Sequence, residues 1–201
     1  MRYTLKFGIT LMIVSALSAV SLAVVYNATE GKRIQAAEEE KQEALAEVLP
    51  EAKVFELVEK AGISYYIGYK SPDKQQAAGY ASVAEGKGYS SVIKTMVGIT
   101  SEGKITGLKI LSQQETPGLG ARVEEIRSGK TIKDVFQKDS EEAKGEQKPW
   151  FQKQFVGKRL NDLRIEKIEA ITGATITSKA IVDSVRKQIK RVLEEQKQGI
   201  Q

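Results

Sequence analysis

The chain has 201 residues, 31 of them Lys or Arg and 26 Asp or Glu, for a formal net charge of +5. It contains neither Cys nor His, which excludes thiolate and imidazole metal sites, iron–sulfur and c-type haem ligation, and any triad built on an imidazole base. The basic excess is small and mixed in sign, unlike the concentrated basic face of a nucleic-acid binder, and redox work would need an organic carrier from outside.

Phe7 to Tyr26 (FGITLMIVSALSAVSLAVVY) carries no charge. As a helix rising about 1.5 Å per residue it covers roughly 30 Å, the thickness of a bilayer's hydrocarbon. Its Ser and Thr hydroxyls can bond back to the helix backbone. A cleaved signal peptide is the alternative, with small residues at Ala19–Ala23, but the run exceeds the roughly 7–15 residues of a signal core, which favours a retained anchor. Arg2 and Lys6 precede the span, and Lys32, Arg33 and Lys41 follow it, so charge bias alone does not orient it. A short leading tail normally stays cytoplasmic, which places the large C-terminal part outside.

Glu30 to Val48 is rich in Ala, Glu, Lys and Gln, with Thr29 available as a cap and Leu49–Pro50 as a stop. It reads as a polar helical stalk, because Ile34, Ala37, Ala44, Leu45 and Val48 are too sparse for coiled-coil heptads. The expected division is an anchor over 1–28, a stalk over 29–50 and a folded domain over 51–201.

In that domain Val54–Phe55–Leu57–Val58 suggests a short helix. Tyr65–Tyr69, Gly79–Val83, Tyr89–Thr100 and Lys104–Leu111 read as strands, separated by turn signals at Ser71–Pro72–Asp73, Gly86–Lys87–Gly88 and Ser101–Glu102–Gly103. Helical patterns follow at Ala121–Ser128 and Thr131–Phe136, then a surface loop at Glu141–Gln147. From Ser178 an amphipathic helix presents Ile181, Val182, Val185, Ile189, Val192 and Leu193 on one face. Strands followed by helices predict an α+β domain with an antiparallel sheet and flanking helices.

Three segments are candidates for chemistry. In Thr172–Gly173–Ala174–Thr175–Ile176–Thr177–Ser178, hydroxyls cluster where a helix begins. The free N–H groups and positive dipole end there suit a phosphate, although hydroxyl clusters at helix starts also serve as caps. In Gln113–Gln114–Glu115–Thr116–Pro117–Gly118–Leu119–Gly120, Pro117–Gly118 fits a type II turn. Gly118 and Gly120 would expose N–H groups to a planar ligand, and Glu115 could accept from a ring N–H; an ordinary glycine-rich turn accounts for the same residues. In Lys148–Lys158, Trp150, Phe151 and Phe155 either stack on a cofactor or fill the core.

TGATITS at 172–178, ETPGLG at 115–120 and the preceding GYSSVIKTMVGIT and EGKITGLKIL stretch resemble the membrane-anchored FMN-binding subunits of ion-translocating complexes. The likeness is to the G subunit of the Rnf-type electron transport complex, a relative of the C subunit of the sodium-translocating NADH:quinone reductase, and it extends over nearly the whole chain. It implies FMN esterified through its phosphate to Thr175, with Thr172 at the small hydroxyl position and Gly173 and Ala174 between them. Glu169 stands where the family pattern has Asp. The resemblance further implies that Glu115, Thr116, Gly118, Leu119 and Gly120 contact the flavin beside Thr177, and that a separate transferase attaches the group from FAD, since no imidazole is present to activate a threonine. It implies an electron carrier without a substrate pocket, working beside other flavin or iron–sulfur carriers in ferredoxin–NAD electron transfer coupled to sodium or proton movement. The alternatives are the quinone-reductase assembly and a membrane-tethered binding or scaffold module without redox activity.

Overall fold

Alternating side chains and β-branched residues build five strands: β1 (Val54–Lys60), β2 (Ile63–Tyr69), β3 (Ala77–Lys87), β4 (Val92–Ile99) and β5 (Ile105–Ser112). The computed structural model describes residues 2–60, 62–126 and 148–198. The strands pair antiparallel in chain order, β1-β2-β3-β4-β5. Helix α1 (Arg2–Val48) precedes them; the four-residue α2 (Trp150–Lys153) and the long α3 (Thr175–Gln198) follow. This is the predicted α+β arrangement. The patterns at 131–136 and 141–147 lie outside the described residues.

The structure corrects three expectations. Val54–Val58 is not a helix. It pairs with β2 from Val54↔Tyr69 to Lys60↔Ile63, and ladder pairing overrides a spacing that fits either period. Of the pattern at 121–128, the described part is a 3-10 turn over Gly120–Glu124, and 127–128 lie outside the described residues. Thr29 caps nothing: α1 runs through it, and its hydroxyl donates to the Val25 carbonyl at 2.8 Å. Thr10, Ser18 and Ser21 bond back in the same way, to Lys6, Val14 and Leu17.

The chain divides into two units between Gln42 and Glu43. In the first, α1 is long and apolar enough to cross a membrane, and Phe7, Leu11, Leu17 and Leu22 are all exposed. In the second, the sheet has a core on each face, because successive side chains point to opposite sides. On one face Ile93, Val97 and Ile99 of β4 meet Ile181, Val182, Val185, Ile189 and Val192 of α3, all buried. Burying a Val, Leu, Ile or Phe side chain stabilises by about 1.5–3 kcal/mol, so this stripe anchors α3 along its length. Phe151 and Phe155 are fully buried in the same cluster with edge-to-face rings 5.5 Å apart, which makes that aromatic segment core.

On the opposite face Ala44, Leu45, Val48 and Leu49 pack on Ala81 and Met96. Beneath Val48 the sheet presents glycines. A Cβ on Gly98 would strike the Val48 carbonyl, and one on Gly107 would lie 2.7 Å from the Val48 Cα. Thr106 donates to the Val48 carbonyl at 2.5 Å, and Lys109 pairs with Glu47 at 2.6 Å. The last turn of α1 is therefore a packed part of the folded unit.

Candidate functional site

Two tight turns bring the glycine-rich segments together. The Leu119 N–H donates to the Thr116 carbonyl at 3.1 Å, and Gly118 takes φ +75°, as the third position of a type II turn requires. Beyond β5, the Ala174 N–H donates to the Ile171 carbonyl at 2.9 Å, with Gly173 at φ +79°. A Cβ on Gly173 would come within 3.1 Å of Leu119 Cδ2, so the turns lie against each other. Between them opens a cavity of about 460 Å³.

Glu115 ties this cavity to a third segment. It is 5% exposed. Oε1 accepts from the Ser90 and Ser91 N–H groups, both at 3.0 Å, and from the Ser91 hydroxyl at 3.1 Å. Oε2 accepts from the Tyr89 N–H at 3.1 Å and the Thr177 hydroxyl at 2.5 Å. Burial pushes the carboxyl pKa up, but the Thr177 hydroxyl and the three N–H groups more than offset it, and the net displacement is downward. Glu115 is held ionised, with five donors already on its two oxygens. Its observed part is to join the β3–β4 turn, the 115–120 segment and the start of α3.

Glycines make room for that junction. A Cβ on Gly88 would lie 2.6 Å from Glu115 Oε1, and one on Gly120 would lie 2.8 Å from both Glu115 Oε2 and Thr177 Oγ1. Gly120 is thus needed for the approach of protein groups to one another, the role that the sequence assigned to a ligand.

The hydroxyls at the start of α3 sort by their surroundings. Thr177 is buried and bonded to Glu115. Ser178 is buried, accepting from the Ile171 N–H at 3.0 Å and donating to the Ala174 carbonyl at 3.1 Å. Thr172 is exposed on the turn and does not line the cavity. Thr175 is exposed and lines it. The helix begins three residues earlier than expected, and the Ser178 N–H donates to the Ala174 carbonyl, so Ala174 occupies the cap position. Alanine has no side chain to bond the first-turn N–H groups, and that turn carries no acid. The open N–H groups and the dipole favour an anion beside Thr175.

Of the other expected residues, Thr116, Leu119, Gly120, Gly173 and Ala174 line the cavity with Glu115 and Thr177, and Gly118 lies outside it. Tyr89 and Ile176 also line it, and sequence reasoning misses both. Tyr89 reads as the start of a strand, but β4 begins at Val92. The Gly–Tyr–Ser–Ser run, with turn formers on both sides, is the signal available. Glu169 is exposed, and its backbone is gripped by Gln154: its N–H donates to Oε1 at 2.8 Å and its carbonyl accepts from Nε2 at 3.2 Å.

An anion-favouring helix start, an exposed hydroxyl on the first residue of that helix and an apolar rim suit a phosphorylated planar cofactor. Comparison with known proteins agrees. Residues 88–190 match the model of the FMN-binding domain. The G subunit of the ion-translocating oxidoreductase complex of Methanosarcina acetivorans is 30% identical, over 92% of each chain. The G subunit of the Na(+)-translocating ferredoxin:NAD(+) oxidoreductase complex of Acetobacterium woodii is 29% identical, over 94% of this chain and 91% of its own. The G subunit of the proton-translocating ferredoxin:NAD(+) oxidoreductase complex of Clostridium ljungdahlii is 30% identical, over 92% and 91%. The chain belongs to the FMN-binding domain family and, within it, to the G subunits of ion-translocating oxidoreductase complexes.

Proposed function

We propose that this chain is the electron-carrying member of an Rnf-type complex coupling ferredoxin–NAD electron transfer to sodium or proton translocation, with FMN held on Thr175 by a phosphoester. The sorting of hydroxyls carries the assignment. Thr177 and Ser178 are buried and bonded, Thr172 stands outside the cavity, and Thr175 alone of the four is both exposed and inside it. When bound, the flavin supplies the reversible uptake and release of electrons. The chain supplies the rest. The open first turn of α3 stabilises the phosphate's negative charge. Leu119 and Ile176 give apolar surface at the rim, 44% and 57% exposed. Glu115, held ionised, fixes the segments that carry these groups relative to one another.

The chain has no His to take the Thr175 proton, and Glu115, the carboxylate lining the cavity, already accepts five hydrogen bonds. This supports attachment by a separate flavin transferase; FAD as its donor is what the family resemblance implies. The transferase would approach from solvent, where Glu169 and Thr175 are both exposed. The helix α1 crosses the membrane with its N-terminus in the cytoplasm, which puts the folded unit and its tethered cofactor outside. Neighbouring proteins of the complex, carrying flavins or iron–sulfur clusters, exchange electrons with it.

The test is co-expression of the full chain with a flavin transferase, followed by intact mass and in-gel fluorescence. The wild-type chain should gain one FMN less water; Thr175→Ala should gain nothing and stay dark, and Thr177→Ala should still be loaded. Covalent flavin on Thr175→Ala protein would refute the assignment. Colourless, unmodified wild-type protein would favour the binding or scaffold reading.

A further inference from the structure

Tyr89 is 74% exposed, yet its backbone is among the firmly held parts of the site. Its N–H donates to the buried Glu115, and the turn it sits on is closed by the Gly88 N–H on the Ser91 carbonyl at 2.8 Å. The neighbouring Ser90 and Ser91 N–H groups bind the same carboxylate. The ring is thus mounted on a fixed base and left in solvent, lining the cavity that contains Thr175. Leu119 and Ile176 line the same cavity and are also exposed. Among the described residues lining it, Tyr89 is the one aromatic. A large ring on a rigid turn, among exposed apolar side chains and beside an attachment point, is a surface prepared for a flat partner.

We propose that Tyr89 is a positioning residue for the flavin and that its phenol ring stacks on the isoalloxazine of the group tethered at Thr175. This inference rests on the reading of Thr175 given above. Stacking follows from the tether. With the phosphate fixed at the start of α3, the ring must lie within the reach of the ribityl chain, and the walls around Thr175 offer one planar surface. A phenol in van der Waals contact with a photoexcited flavin donates an electron to it and recovers that electron, so emission is quenched and nothing is consumed. Phenylalanine stacks but is too hard to oxidise to do this, and leucine does neither.

The experiment compares full-length wild type, Tyr89→Phe and Tyr89→Leu, each co-expressed with a flavin transferase. Flavin loading is first counted by intact mass, and fluorescence lifetime and visible absorption are then recorded. Lifetimes are compared on the loaded fraction of each chain, and Tyr89→Phe, which keeps a ring on the same backbone, carries the comparison where Tyr89→Leu loads poorly. The main lifetime should rise several-fold in both variants. The visible band should stay near its wild-type position in Tyr89→Phe and move in Tyr89→Leu. Loaded chains with the same lifetime in wild type and Tyr89→Leu would overturn the stacking and leave the Thr175 reading intact. A wild-type chain without covalent flavin would overturn both.

Discussion

Replacing Glu115 by Gln tests whether one buried carboxylate holds the site together. The side chains are nearly isosteric, so the change isolates charge and hydrogen-bond direction. In the wild type Oε1 accepts three bonds and Oε2 two. Glutamine keeps most of these by placing its amide oxygen where Oε1 was. Its NH₂ then meets the Tyr89 N–H, donor against donor, while the Thr177 hydroxyl can turn and accept. A stranded donor costs about 1–3 kcal/mol, and each retained bond weakens from the roughly 1.5–3 kcal/mol typical of a charged acceptor towards about 1 kcal/mol. These losses share one ion and do not add, and relief from burying a charge offsets part of them. The net loss is about 3 kcal/mol, which in a domain of this size lowers Tm by roughly 6–12 °C. Thermal denaturation of the full chain in detergent at pH 7 measures it. The pH dependence follows from the lowered pKa: this stabilisation is complete above the ordinary glutamate value of 4.5 and is lost as pH falls through the still lower folded value. Acidification should therefore narrow the gap between wild type and Glu115→Gln. A Tm within about 1 °C of wild type at pH 7, or a gap unchanged in acid, would refute the reasoning.

Two further outcomes follow from the same geometry. Thr177→Ala removes one bond to the Glu115 carboxylate and should cost about 1.5–3 kcal/mol, seen as a lower denaturation midpoint in flavin-loaded protein. Gly107→Ala forces a Cβ to 2.7 Å from the Val48 Cα and should cost about 1–3 kcal/mol by overpacking, measured in the same way, while the flavin's spectrum is unchanged.

Periodicity carries much of this fold into view. The apolar stripe of α3 is legible because its neighbours are a few residues apart in sequence, and Ile181, Val182, Val185, Ile189 and Val192 are all buried. β1 is not, because Val54, Phe55, Leu57 and Val58 suit either period and only pairing with β2 decides between them. The site divides in the same way. Glycines and hydroxyls mark both loops, but whether a hydroxyl faces a cavity or a carboxylate depends on where α3 begins, and that is set by tertiary contacts. The work of Glu115 is out of reach for the same reason. Its partners lie 24 to 26 residues back at Ser91, Ser90 and Tyr89 and 62 residues ahead at Thr177.

The seating of Val48 and Leu49 on a glycine-bared sheet has a practical side for anyone detaching this domain from lipid. A version trimmed after the polar stretch, beginning at Glu51, discards the plug formed by Ala44, Leu45, Val48 and Leu49 and leaves Ala81 and Met96 open to water. Cutting before Glu43 keeps that plug with the unit it packs on and removes the uncharged run Phe7–Tyr26.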